Sequence, residues 1–383
     1  MRKLHTLWYD GRVRAWTLQF ALLAGIAGCL AWFALNAGAN LASRGITMGF
    51  GFLGQSARFP IAEHVVDYSP ADSYGWAYVV GLVNTVQIAV LVTLLATVLG
   101  TLIGLARRSR HPSLSGIATV FVEVHRNTPL VVQLLFWYAL VTTGLPAVRQ
   151  ALQPLPGVFL SVRGLALPRL GLGDIGSWFW AAVLMAALGI ALGPRLGQAI
   201  GRGGLALRRS AWLLAGGLLV AVVCGLGGGR LSLDLPRLRG FNFTGGLSLT
   251  PEFVSLLVGL TLYSASFIGE IVRGGIDAVG RGQWEAGRSL GLSERRILAL
   301  IVFPQALRII VPPMGSQYLT IIKNITLALA VGYPDFASVA ATTINQTGQA
   351  IEGVLILMTV YLTISLSISA LINWFNRRVT LVS

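Results

Sequence analysis

Two short runs place an acid three residues before an arginine within apolar stretches: Glu123-Val-His-Arg126 and Glu270-Ile-Val-Arg273. Residues three apart share a helix face, so each pair can neutralise itself, act as a gate, or offer a charge to a solute. Charges inside a membrane are expensive and mark functional candidates by default. The chemistry open to them is narrow. Catalysis would need paired acids, a metal cluster or an activated nucleophile in a cleft, and each acid stands alone beside its arginine. His5, His64, His111 and His125 have no ligand spacing, and Cys29 and Cys224 lie far apart in apolar runs. Neither a metal centre nor a disulfide framework is expected. A third group is neutral and polar: Asn84, Thr85, Gln87, Gln133, Gln317, Asn324 and Thr326, with Lys323 alongside. Neutral donors and acceptors within a membrane can line a route for a polar solute, which makes these seven the candidate solute pathway. Amides within a membrane also hold helices together, and residue type does not choose between the two roles.

The elements that must position these groups follow from composition. The chain has 383 residues, of which 55% are hydrophobic and 11% charged. A soluble domain carries roughly a quarter charged residues, so an integral membrane protein is expected. The net charge is +15. The basic residues punctuate long apolar runs rather than forming one face, which fits membrane topology and excludes nucleic acid as a partner. At about 20 apolar residues per span, eight candidates emerge: 16–36, 77–106, 114–143, 178–194, 211–228, 251–273, 309–330 and 352–376. The first is longer than a signal-peptide core and reads as an uncleaved span. With both termini inside, 19 lysines and arginines fall in inside segments and 8 outside, as orientation by positive charge requires. Residues 144–177 read as an irregular loop. Spans 178–194 and 211–228, with the basic turn 194–210, read as an insertion removable without disturbing its flanks. Several tryptophans sit near span ends, as an interfacial belt would.

One charged hairpin stands out in this greasy chain. GQWEAGRSL, 282–290, suits a short amphipathic helix, and Gly291 can take φ > 0 to end it. Ser293 is placed to cap a second helix with Glu294 in its first turn. Pro304 should break or kink the apolar run that follows. Ala286 and Gly287 give one face almost no side chain, so another backbone can approach there, with Glu285 beside it.

This stretch resembles the EAA loop of bacterial ABC-importer permeases. That pattern falls on Glu285, Ala286, Gly287, Gly291, Ile301 and Pro304 with every spacing kept. Gly287 replaces the second alanine, at about 1 kcal/mol of helix propensity. YSASFIGEIVRGGIDAVGRGQWEAGRSLGLS (263–293), VEVHRNTPLVVQLLFWY (122–138), GLVNTVQIAV (81–90) and PQALRIIVPPMGSQYLTIIKNITLA (304–328) are similar to polar amino acid permeases of the histidine/glutamine group. Where that family often reads Lys-Asp-Thr-Ser-Leu, this chain has Lys323-Asn324-Ile325-Thr326-Leu327. The first span and the insertion resemble the larger permease of general L-amino acid importers.

The resemblance implies an all-α polytopic membrane protein: a type I importer core of five helices, an N-terminal helix and a two-helix insertion. The implied parts are 1–76, core residues 77–143, inserted residues 144–250, and core residues 251–383 with a coupling hairpin at 282–304. It implies alternating access in a bacterial inner membrane. The implied partners are a second, homologous permease, a pair of ATP-binding cassettes, a periplasmic amino-acid-binding protein, lipid and an L-amino acid. Glu285, Ala286, Gly287, Gly291, Ile301 and Pro304 would couple to the cassettes. ATP and Mg would belong to the cassettes, since this chain has no GxxxxGK[ST] loop and only Lys3 and Lys323. A heterodimer is implied by resemblance alone. A secondary transporter of small polar solutes is the alternative; it would need an ion site and usually inverted repeats, and neither is visible.

Overall fold

The computed structural model describes residues 11–43, 49–172, 231–240 and 242–379. In chain order these form α1 Gly11–Ser43, α2 Tyr74–Arg107, α3 Pro112–Asn127 and α4 Leu130–Ala139. Eight short strands follow: β1 Leu152–Leu155, β2 Val158–Ser161, β3 Gly164–Leu167, β4 Arg169–Leu172, β5 Leu231–Asp234, β6 Arg237–Arg239, β7 Asn242–Thr244 and β8 Leu247–Leu249. The rest is helical: α5 Pro251–Asp277, α6 Arg281–Ser289, α7 Glu294–Ile297, α8 Phe303–Asn324, α9 Phe336–Thr347 and α10 Ala350–Val379. Among the described residues five stretches are long and apolar enough to cross a membrane: Arg14–Asn40, Tyr74–Arg107, Pro251–Asp277, Glu294–Val331 and Ala350–Trp374. The protein is therefore a multi-pass, mostly helical membrane protein. The expected spans 178–194 and 211–228 lie outside the described residues.

Two compact units divide the chain, one of residues 1–122 with 264–383 and one of residues 123–263. In the first, helices approach through missing side chains. A Cβ on Gly100 would sit 2.6 Å from Ile268 Cγ2, and one on Gly104 would sit 2.6 Å from the Gly269 carbonyl oxygen. Lipid is as apolar as leucine, so close packing rather than water exclusion holds such helices together. Ala96, Ile103, Val272, Ile276, Ile297, Val302, Ala306 and Ile310 form one buried cluster that joins α2, α5, α7 and α8.

The second unit corrects two expectations. The stretch 114–143 is not one span: α3 stops at Asn127 and α4 starts at Leu130. Pro129 is the reason, since it has no N–H to give the carbonyl four residues back. Gln133 fills that gap, its Nε2 donating to the His125 carbonyl at 2.8 Å and the Thr128 carbonyl at 2.9 Å. Residues 144–177, as far as they are described, are not an irregular loop but carry short strands. β1, β2, β3 and β8 make an antiparallel sheet, with β4–β5 and β6–β7 as separate pairs. Gly157 (φ 79°) and Gly164 (φ 94°) supply the left-handed backbone that tight hairpins need. Leu172 of β4 faces Leu231 of β5 in register.

Candidate functional site

The hairpin after α5 is a tight, internally packed elbow. α6 ends in a Schellman turn: the Gly291 N–H donates to the Arg288 carbonyl at 2.8 Å, and the Leu292 N–H to Gly287 at 3.2 Å. Gly291 has φ 71° there, which a Cβ would oppose. Ser293 occupies the cap position of α7, but its side chain makes no capping hydrogen bond. Pro304 does not break the run. A π-turn at Leu298–Val302 widens the helix, and α8 continues from Phe303 with Pro304 in its first turn. The wide turn accommodates the missing proline N–H. Helical structure therefore runs unbroken from Glu294 through Val331, with Ile325–Val331 wound as a tighter 3-10 turn. Gln305 Nε2 ties α8 back to α6, donating to Gln283 Oε1 at 3.2 Å.

Gly287 does not form an outward smooth face with Ala286. It is buried, and a Cβ there would lie 2.8 Å from Ile297 Cγ1. Its missing side chain lets α6 seat against α7. Glu285 and Ala286 are exposed, Ile301 is half-buried and Pro304 is exposed.

An ion network fixes this elbow to α2 and α5. Glu270 pairs with Arg273 on its own helix and with Arg107 at the end of α2. Arg273 Nη1 also reaches Asp277 at 2.8 Å, and Arg108 Nε reaches Asp277 at 2.7 Å. Glu294 of the elbow accepts from Arg288 at 2.8 Å and from Arg110 at 3.2 Å. The Arg108 guanidinium lies 5.3 Å from the Trp284 ring centre, a cation–π contact. Sequence reasoning found the Glu270–Arg273 pair and missed Arg107, Arg108, Arg110, Asp277 and Trp284. Asp277 lies two turns beyond Glu270 on the same helix face, which was a legible signal. The arginines carried none, because they read as orientation charges. The other pair differs: Glu123 is exposed and accepts from Asn127 Nδ2 at 3.1 Å, and Arg126 is exposed.

The candidate pathway residues separate into two kinds. Asn84 and Thr85 are buried braces rather than a solute-facing surface. Asn84 Nδ2 donates to the Glu63 and Pro334 carbonyls at 2.8 and 2.9 Å, and Thr85 Oγ1 accepts the Phe336 N–H at 2.9 Å. They hold the turn between α8 and α9 against α2. Gln133 is a brace too, as described above. Gln87, Gln317, Asn324 and Thr326 are half-buried, and Thr326 Oγ1 donates to the Lys323 carbonyl at 2.7 Å. Among the described residues no hydrogen bond joins any two of the seven. No cluster of three metal-ligating side chains occurs among the described residues either.

The braced turn contains Asp335, which caps α9 by accepting the Ser338 N–H at 2.8 Å. It is fully buried between α2, α9 and α10. Burial pushes its carboxyl from 3.8 up to about 6. The folded protein thus holds this proton more tightly than the unfolded chain does. The site's stability contribution is full below about pH 4 and falls as pH rises through about 6. Asp335→Asn, which still caps, should remove a loss of about 2–3 kcal/mol between those limits. Unfolding in detergent at several pH values checks this: an unchanged pH slope in the variant would contradict it.

A family model described as "Binding-protein-dependent transport system inner membrane component" matches residues 213–381. YhdX of Escherichia coli (strain K12) is 45% identical over 375 residues, 97% of this chain and 95% of that protein. The general L-amino acid transport system permease protein AapQ of Rhizobium johnstonii is 40% identical, over 98% of this chain and 94% of its own. The glutamate/glutamine/aspartate/asparagine transport system permease protein BztB of Rhodobacter capsulatus is 36% identical, over 99% and 96%.

Proposed function

Because this chain belongs to the family of binding-protein-dependent transport system inner membrane components, we propose that it is the permease of an ABC importer for polar L-amino acids. A separate pair of cassettes hydrolyses ATP with Mg, a binding protein delivers the amino acid, and a second, homologous permease completes the pore. The chain lies in the inner membrane with both termini cytoplasmic, which the excess of basic residues on that side supports. The core is the type I arrangement at 77–143 and 251–383, with 1–76 and 144–250 as additions.

The observation that carries this reading is the packed elbow with importer spacing, continuous with α8 and clamped to α2 and α5. Glu285 and Ala286 face outward and meet the cassette. Gly287, Gly291, Ile301 and Pro304 set the shape. When the cassettes close, the elbow moves as one piece with α8, and the Arg107, Arg108 and Arg110 contacts carry α2 and α5 along. The half-buried Gln87, Gln317, Asn324 and Thr326 line the solute route, with Glu270 and Arg273 near its inner end.

Reconstitution with the cassettes, the second permease and the binding protein tests the reading. Uptake of L-glutamate is expected to require ATP and to be reduced by L-glutamine and L-aspartate. Uptake driven by an ion gradient without cassettes would instead establish a secondary transporter.

A further inference from the structure

At the end of α2 away from the elbow lies a second polar site, outside the proposed coupling machinery. Residues 49–73 fold into a cap there, with Phe52, Ala57, Phe59 and Ile61 buried against Tyr74, Tyr78 and Phe336. Between this cap and the end of α9 is a cleft of about 850 Å³, lined by Arg58, Ser56, Tyr74 and Gln346 among others. Arg58 has φ 56°, the one positive value at a non-glycine residue among those described. Its N–H to the Pro70 carbonyl, 2.8 Å, and that of Ala57 to the Asp72 carbonyl, 2.7 Å, hold it there. Side chains avoid this backbone region, and residues held in it concentrate at functional sites. Arg58 lines the cleft, is exposed, and makes no ion pair among the described residues.

The remaining polar atoms are sorted by charge preference. Tyr74 Oη donates to Gln346 Oε1 at 2.9 Å, which turns the Gln346 amide N–H groups outward as donors. Ser56 Oγ donates to the Pro70 carbonyl at 3.0 Å. With both hydroxyl protons engaged, the Ser56 and Tyr74 oxygens offer only lone pairs to the cleft.

We propose that this cleft is a holding site for a free α-amino acid, distinct from the membrane pathway. The carboxylate lies on Arg58 and the Gln346 amide, a planar guanidinium being suited to two parallel bonds to one carboxylate. The ammonium lies on the Ser56 and Tyr74 oxygens. The cleft is larger than one amino acid, so it fixes the shared backbone groups and tolerates different side chains. This inference rests on the amino acid permease reading and deepens it.

The test uses the whole complex in lipid nanodiscs without the binding protein, with radiolabelled L-glutamine as probe. Saturable binding is expected, and 4-aminobutanamide, which is glutamine without its carboxylate, is expected not to compete. Arg58→Gln should weaken binding about tenfold or more, as loss of a charged hydrogen-bond pair does. Arg58→Gly should weaken it equally while thermal stability holds or rises, because glycine accepts the left-handed backbone freely. A purely structural arginine would not separate binding from stability in this way. Glutamine binding unchanged in both variants, equal competition by the decarboxylated probe, or no saturable binding below about 10 mM would overturn the proposal. ATP-driven uptake in the presence of binding protein reads out the permease assignment independently: its persistence alongside any of those results would remove the cleft and leave the permease.

Discussion

Gly287→Val should reduce ATP-driven uptake by about tenfold or more while the complex still assembles. The position has no room: a Cβ would meet Ile297 at 2.8 Å, and Ile297 is fully buried in the main helix cluster. Ile297 cannot swing away, because its branched β-carbon is held on all sides. Overpacking of this kind costs about 1–3 kcal/mol, and 1.4 kcal/mol is a tenfold change in population. The strain falls on the α6–α7 seat, so the elbow loses its fixed orientation while the remaining helix packing stands. Uptake in proteoliposomes and assembly by size-exclusion chromatography check the two halves. The decisive comparison is the pair Gly287→Ala with Ile297→Ala, which removes the γ-carbons that the new Cβ would meet. If the glycine serves internal packing, shortening Ile297 should restore much of the activity that Gly287→Ala removes. If it serves contact with a cassette, the second change should not help.

Glu270→Gln should lower stability by about 2 kcal/mol, seen as a drop in unfolding temperature in detergent, with uptake falling alongside. The carboxylate serves two guanidinium groups, and the side chains of Arg107, Glu270 and Arg273 are 13%, 27% and 35% exposed. Breaking a buried pair costs about 3–5 kcal/mol because a charge is stranded, whereas exposed pairs contribute about 0–1 kcal/mol. This half-buried network falls between. Arg273 retains Asp277 at 2.8 Å, so the stranded charge is mainly Arg107. Adding Arg107→Met should therefore recover part of the loss. Glu123→Gln should change stability by no more than about 0.5 kcal/mol, since Glu123 is exposed. Equal effects at the two acids would contradict the clamp.

Much of this protein was legible as sequence because membrane insertion and turn chemistry act locally. About twenty apolar residues with no proline among them make a span, and Gly291 ends a helix through its own left-handed backbone. The importer spacing from Glu285 to Pro304 is likewise a linear pattern. The side chains' employment was not legible. Gln133, Asn84 and Thr85 carry the same donors and acceptors as solute-binding residues, but their partners are backbone groups: carbonyls beside Pro129 and Pro334 for Gln133 and Asn84, and the Phe336 N–H for Thr85. Gly287 reads as smooth on any helical wheel, and only the return of Ile297 across the elbow decides that it faces inward. The arginines at 107, 108 and 110 are orientation charges in a linear reading. They become a clamp once α5 and α6 bring Glu270, Asp277 and Trp284 beside the end of α2. Local rules set which segments cross the membrane and where they turn. Which polar group answers which depends on contacts between residues far apart in the chain, and only packing supplies those.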